Sequence, residues 1–188
     1  NNKKIKIIGD LMLDIWFNGK MEKKSAESKI NIYETDNTKF SLGGAGNLCI
    51  NLKSLGVNFK FFSEIGKDTY GDKILKILDQ KKINFLLDRT KHTSTIKKRF
   101  HLKEKQIFRQ DIEDDRLNKK VNANLIKNLK DKDIIIISDY KKGCIQKNLH
   151  PELDKKKCIT FVDPKNNPEF YKNAFLLKPN MEKFEEWV

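Results

Sequence analysis

Cysteine, proline and long apolar runs are all scarce in this sequence, and each scarcity removes a class of protein. The three cysteines, Cys49, Cys144 and Cys158, are odd in number, widely spaced and each set in an apolar local run. That usage argues for buried thiols in a reducing compartment rather than for disulfides or a zinc site. The four prolines do not cluster, and no Pro/Gly-rich stretch marks an interdomain linker. No run approaches the ~20 apolar residues that cross a bilayer, and the basic segment before Ile5 is not followed by the h-region of a signal peptide. The expected location is therefore cytoplasmic, without membrane contact. There is no internal repeat and no low-complexity tract beyond a bias toward Lys and Asn.

What is abundant is charge. Lys and Arg number 39 against 26 Asp and Glu, a formal net charge of +13. The two signs are interleaved, and no aromatic–basic platform or recognition-helix pattern accompanies them, so nucleic acid is not the expected partner. Acidic small molecules such as phosphates fit the same charge. A chain of 188 residues with a hydrophobic fraction of 38% suits one domain with a substantial core and is too apolar for disorder throughout.

Residues 43–56, GGAGNLCINLKSLG, organise the rest. Gly43 and Gly44 form a turn into a helix with Leu48, Leu52 and Leu55 on its apolar side, and Gly56 is placed to end it. A glycine turn at a helix N-terminus lets backbone N–H groups approach a ligand, and it brings Asn47 to the same place. The spacing is not that of the dinucleotide fingerprint, and no GK[ST] follows to make a P-loop. A packing turn is the alternative; Asn47 and Asn51 favour a ligand, because packing alone would select Ala or Leu.

In chain order, Ile5 to Gly9 read as a buried strand, and Asp14 follows in LMLD, either as an acid in the crevice at a strand's carboxyl end or as a solvated turn residue. From Ile15 to Phe40 there is no helix signal: Asn18-Gly19 reads as a turn pair and Ile30, Ile32 and Tyr33 as a strand, together a β excursion. Phe59 to Ile65 reads as a strand ending in GKDTYG, with Thr69 and Asp72 as an approximate capping box and Asp68 as a notable acid. Ile83 to Leu87 is a short strand.

Residues 93–100 then alternate, placing Thr95, Lys97 and Arg99 on one side and Ile96, Lys98 and Phe100 on the other. Ile107, Arg109 and Asp111 return in phase. Such a hairpin suits an exposed sheet or a flap over a ligand; Arg99 and Arg109 either clamp an anion bidentately or face solvent.

Val121, Leu125 and Leu129 mark a helix, and Ile134 to Ile137 form an apolar run of the kind a parallel sheet buries on both faces. Further strands and helices lead through SDYKKG at 138–143 and DPK at 163–165 to KPN at 178–180, where Asn180 caps a helix with Glu182 in its first turn. Strands and helices alternate and polar motifs recur at strand ends, the pattern of an α/β sheet with its site along one edge. The last helix is only two turns old at Val188, which reads as a truncation, since a parallel sheet needs cover on both faces.

In order and spacing, IIGDLMLD at 7–14, GGAGNLCINLKSLG at 43–56, GKDTYG at 66–71, TSTIKKRF at 93–100, IFRQD at 107–111, SDYKKG, DPK and KPN resemble the ribokinase-like (PfkB) carbohydrate kinases. The likeness is strongest to the heptose 7-phosphate kinase domains of ADP-heptose synthesis, often fused to a nucleotidyltransferase. The resemblance implies a mostly parallel sheet flanked by helices, with a small β lid from segments 15–35 and 94–110 that also serves as a homodimer surface. It implies ATP and Mg2+ as cofactors and phosphoryl transfer to a sugar hydroxyl. By position Asp14 would hold acceptor hydroxyls, Gly43, Gly44 and Asn47 would shape the sugar pocket, and Lys97, Arg99 and Arg109 would face a sugar phosphate. Lys165, Lys178 and Asn180 would lie toward the nucleotide.

Three departures qualify the likeness. The lid reads SAES at 25–28 where heptose kinases carry a proline-rich segment, which leaves the acceptor open among heptose phosphate, fructose, ribose and nucleosides. Residue 183 is lysine where NxxE is usual, leaving metal handling to Glu182 or Glu185 or to another arrangement, and giving weight to a non-catalytic binding module. The GAGD-like motif, whose aspartate is the family's general base, is absent from the sequence, so this chain alone is expected to turn over little or not at all.

Overall fold

The computed structural model describes residues 5–114 and 120–187. Its centre is a six-stranded sheet in the order β10-β9-β8-β1-β4-β5, formed by Leu176–Leu177, Ile159–Asp163, Ile134–Ser138, Ile5–Gly9, Phe59–Gly66 and Phe85–Thr90, with every pair parallel. Strand alternation sends neighbouring residues to opposite faces. Ile7 and Phe61 pack with helices α1 (Ala45–Ser54) and α2 (Thr69–Gln80), whereas Ile8, Phe62, Ile135 and Ile137 pack with α3 (Lys120–Asn128) and α4 (Leu149–Lys155). Two cores on the two faces explain the unbroken apolar run Ile134–Ile137 of β8.

The chain leaves this sheet immediately after β1. Strands β2 (Leu11–Lys24) and β3 (Asn31–Gly44), each 14 residues, form a long hairpin, which β6 (Thr95–Leu102) and β7 (Lys105–Ile112) extend to a four-stranded outer sheet in the order β3-β2-β6-β7. Its inner end is tied to the central core through Leu13, Ile15, Leu42 and Ile96. Farther out, Phe17 stacks on Phe100 at 4.8 Å, and the Tyr33 hydroxyl reaches the carbonyls of Phe17 at 2.8 Å and His101 at 2.9 Å, fixing β2 against β6.

Several local expectations change. Asn18-Gly19 is not a turn: it lies inside β2 at a register shift, because a Cβ on Gly19 would strike the Glu34 carbonyl and the Tyr33 ring of the partner strand. The cap of α2 is Asp68 rather than Thr69; its carboxylate accepts from the Gly71 N–H at 2.7 Å. Gly56 ends α1 as expected, at φ 75° with its N–H to the Lys53 carbonyl and Val57 N–H to Leu52. Leu55, however, is 77% exposed, since it sits at the C-cap beyond the buried stripe of Ala45, Gly46 and Cys49. The three cysteines are free; Cys49 and Cys144 are buried and Cys158 is half-buried. The final helix α5 (Met181–Trp187) buries none of its residues.

Candidate functional site

The outer sheet has one polar face, and cross-strand register assembles it. Asp14 on β2 stands between Ser41 on β3 and Lys97 on β6, and Lys97 faces Asp111 on β7. One row farther out, Trp16 pairs with Arg99 and Arg99 with Arg109. Period two then puts Asp14, Trp16, Lys97, Arg99, Arg109 and Asp111 on the same side, while Ile15, Phe17, Lys98 and Phe100 take the other. Arg99 leans back one row: its Nη1 donates to Asp14 Oδ1 at 2.5 Å, with the two side chains only 18% and 14% exposed. Its guanidinium lies 4.8 Å over the Trp16 ring. That ring is itself fixed, by Nε1 donating to Ser41 Oγ at 3.1 Å and by stacking on His101 at 5.4 Å. Arg109 is more exposed and pairs with Asp111, holding that carboxyl below the usual carboxylate range. Lys97 is half-buried, and its ammonium is pushed below the ordinary lysine value by desolvation and then by the neighbouring Arg109 charge.

The glycine turn closes this face from the side. Gly43 is glycine because a Cβ there would press into the Asp14 carboxylate; Gly44 is glycine because its φ is +55° and a Cβ would meet the Asp10 carbonyl. That carbonyl accepts the Ala45 N–H at 2.9 Å, so the start of α1 is set directly above the exit of β1. No side chain caps α1 and no acid occupies its first turn, where Asn47 lies exposed.

The second half of the region is the carboxyl edge of the central sheet. Asp10, 3% exposed, accepts backbone N–H groups of Tyr140 at 2.6 Å, Lys142 at 3.1 Å and Cys144 at 3.0 Å. Burial, followed by the nearby Asp139 charge, outweighs these bonds and raises its pKa to about 6. Asp139 accepts from Lys141 N–H at 2.7 Å, from Asn166 Nδ2 at 2.6 Å and from the Tyr171 hydroxyl, joining the loops after β8 and β9. Tyr140 connects the two halves: burial raises its pKa, and the fields of Asp163, Asp14 and Asp10 add to the shift. Next along the edge, burial raises the Asp163 carboxyl, against the opposing pull of Lys178 and Lys165. Both lysines are exposed, and neither is in a salt bridge among the described residues. Asn180 Oδ1 accepts the Lys183 N–H at 3.0 Å at the start of α5.

The structure thus brings Asp14, Gly43, Lys97, Arg99 and Arg109 onto one face and places Lys165 and Lys178 around Asp163. Asn47 stands one helical turn beyond Gly44 without a hydrogen bond to Asp14 among the described residues. Sequence reading passed over Trp16, Asp10 and Asp139. An acid following a buried strand was the available signal for the last two; for Trp16 it was the shared period with Asp14. Asp68 ties the turn before α2 to the start of β6, accepting from Ser94 N at 2.7 Å and Ser94 Oγ at 2.9 Å. Among the described residues no group of three or more His, Cys, Asp and Glu is placed to hold a metal ion. No helix among them is long and apolar enough to cross a membrane.

Comparison with known proteins adds sequence and fold relatives. A family model described as pfkB family carbohydrate kinase matches residues 2–188. The bifunctional protein HldE of a Nitratiruptor species is 30% identical over 183 residues, covering 94% of this chain and 40% of the relative. HldE of Aliarcobacter butzleri is 32% identical over 195 residues, covering 97% and 41%. The chain therefore spans about two fifths of the length of these curated relatives. Escherichia coli phosphofructokinase-2 in complex with fructose-6-phosphate superposes with a TM-score of 0.75 at 16% identity, over 99% of this chain and 64% of that one. A carbohydrate kinase from Agrobacterium tumefaciens superposes at 0.65 and 13% identity, over 93% and 60%. The structural likeness is one of fold, ribokinase-like with its parallel sheet and helices.

Proposed function

Because the chain belongs to the pfkB family of carbohydrate kinases, we propose that it carries the acceptor side, and part of the nucleotide side, of an ATP-dependent kinase for a sugar phosphate. Heptose 7-phosphate, phosphorylated at O1 in ADP-heptose synthesis, is the first candidate acceptor. The observation that carries this reading is the single polar face on which Asp14, Lys97, Arg99 and Arg109 meet, with Gly43 held glycine by the Asp14 carboxylate. A carboxylate accepts sugar hydroxyls, and paired guanidiniums recognise a phosphate dianion bidentately, which a lysine pair does less well. In this reading Gly44 and Asn47 would help shape the sugar pocket.

Phosphoryl transfer requires donor and acceptor oxygens in line, with charge stabilised and water excluded. In this reading the outer sheet is the lid, formed by segments around 15–35 and 94–110, and Tyr140 stands between the sugar and the nucleotide. Lys165 and Lys178, exposed beside Asp163, fit the phosphates of ATP, and Asn180 follows Lys178 after β10. ATP supplies the transferred phosphoryl group. Mg2+ would accompany the nucleotide in this reading. The exposed rings of Phe108 and Phe40 on the back of the lid, 58% and 40% exposed, support a homodimer through that surface. The reading places the protein in the cytoplasm.

The test is calorimetric. Heptose 7-phosphate, fructose 6-phosphate, ribose and a nucleoside are titrated into the 188-residue chain and into Asp14→Asn. One phosphosugar should bind, and Asp14→Asn should weaken it by about tenfold or more, the scale of a lost charge-assisted hydrogen bond. Equal binding by both proteins would overturn the reading. Turnover is expected to be near zero without a GxGD segment; a coupled assay giving about 1–100 per second, ordinary for kinases, would contradict that.

A second reading is a sugar- or nucleotide-binding module without chemistry. The observation favouring it is Lys183, whose ammonium pairs with Glu186 where the family usually has a glutamate. Phosphosugar formation by the complete gene product would exclude it.

A further inference from the structure

We propose that Arg99 is a phosphate-released latch on Asp14, so that the acceptor's own phosphate frees the carboxylate that must hold its hydroxyls. The proposal rests on the phosphosugar reading of this face and deepens it. In the structure the Asp14 carboxylate is already engaged: Arg99 Nη1 donates to its Oδ1 at 2.5 Å, and both side chains are largely covered. A carboxylate paired with a guanidinium has its charge compensated and one acceptor oxygen occupied, and an uncharged sugar brings no anion to compete for the arginine.

Three features make this contact a latch rather than a fixed strut. First, Arg99 faces Arg109 across the β6–β7 register. Like charges directly opposite repel, so without an anion each arginine turns away from the other, Arg99 to Asp14 and Arg109 to Asp111. A phosphate dianion reverses that preference, because two guanidiniums can then share it. Second, Arg99 has a second support. The Trp16 ring lies 4.8 Å from its guanidinium and is itself fixed by Ser41 and His101, so the arginine can move along a flat aromatic face without losing its contact. Third, Lys97 sits between the two pairs in a site where desolvation and Arg109 disfavour its charge; an arriving anion relieves that cost. Phosphate and sugar hydroxyls therefore bind cooperatively, and the site selects phosphorylated over free sugars by more than the phosphate's own contacts.

Thermodynamic linkage provides the test, since phosphate must tighten sugar binding by the factor by which sugar tightens phosphate binding. Heptose 7-phosphate, fructose 6-phosphate and ribose 5-phosphate are first ranked by calorimetry on the 188-residue chain. The dephosphorylated form of the best binder is then titrated with and without saturating inorganic phosphate, at ionic strength matched with potassium chloride. In the wild type phosphate should tighten the free sugar about tenfold, within the usual 5–150-fold range of coupling. In Arg99→Met the free sugar should bind without phosphate as tightly as it binds the wild type with phosphate, and phosphate should add nothing. Free-sugar affinity that ignores phosphate in the wild type, or that falls in Arg99→Met, overturns the latch. If no sugar phosphate binds, or if Asp14→Asn binds it equally well, the phosphosugar reading fails and the latch with it. Loss of binding in Asp14→Asn without sugar–phosphate coupling overturns the latch alone.

Discussion

The two sheets hold their carboxylates by opposite means. At the central sheet backbone N–H groups take a large share: Asp10 takes those of Tyr140, Lys142 and Cys144, Asp139 that of Lys141, and Asp133, bonded to the Lys130 N–H at 2.7 Å, also neutralises the buried Lys6 ammonium. On the outer sheet the partners are arginine side chains, Arg99 for Asp14 and Arg109 for Asp111. A backbone donor can leave its acceptor only if a loop is rebuilt, whereas a guanidinium leaves by rotating about side-chain bonds. The central edge is therefore suited to fixing positions, and the outer face to exchanging partners when a ligand arrives.

The largest effect expected from this contrast is at the central sheet. Asp133→Ala leaves the buried Lys6 side chain without its partner, and urea unfolding should show a loss of about 3–5 kcal/mol, the cost of breaking a buried pair from one side. Replacing both partners, Lys6→Met with Asp133→Leu, should recover most of it. If the single variant lost less than about 1 kcal/mol, the claim that the central sheet holds its carboxylates rigidly would fall.

Asp10→Ala comes next. It strands three backbone donors but also removes a buried charge, so the net loss should be about 1–3 kcal/mol. Hydrogen exchange should localise it, with amide protection falling at Tyr140, Lys142 and Cys144 rather than across the sheet.

The same group gives a pH signature. Its folded pKa of about 6 lies above the ordinary 3.8, so the folded protein binds the extra proton in that interval. Its contribution to stability is therefore greatest below 3.8, declines as pH rises to about 6 and is flat above. Measured against Asp10→Asn, the wild type should lose relative stability across that window; a relative gain would show that the buried carboxyl is depressed instead.

The smallest stability effect belongs to the outer sheet. Arg99→Met should cost about 1–2 kcal/mol of unfolding free energy, less than Asp133→Ala, because the largely covered Asp14 carboxylate it leaves behind keeps Lys97 as its cross-strand neighbour, even though it reshapes ligand affinity. A loss of about 3 kcal/mol or more, the scale of a broken buried pair, would make Arg99 a structural strut and erase the distinction between the sheets.

Much of this was legible in the sequence because it is local. Alternation of strands and helices, the glycine turn at 43–44, the end of α1 at Gly56 and the polar phase of Lys97, Arg99, Arg109 and Asp111 are all set within a few residues, where backbone geometry and side-chain period act directly. Leu55 and Asn18-Gly19 were misjudged for the complementary reason: whether an apolar residue is covered, or a glycine bends or bulges, depends on what packs against it.

Only the tertiary structure decided which charges meet. Arg99 reaches Asp14 across 85 positions of sequence, and Asp10 gathers donors 130 or more positions away. Those meetings follow from strand order and register, which the packing of two cores selects collectively and no short stretch encodes. The sequence by itself determined that cations would line one face of a hairpin; folding determined that one of them, expected to face a phosphate, would cover Asp14, an acid inside β2 rather than at a strand end.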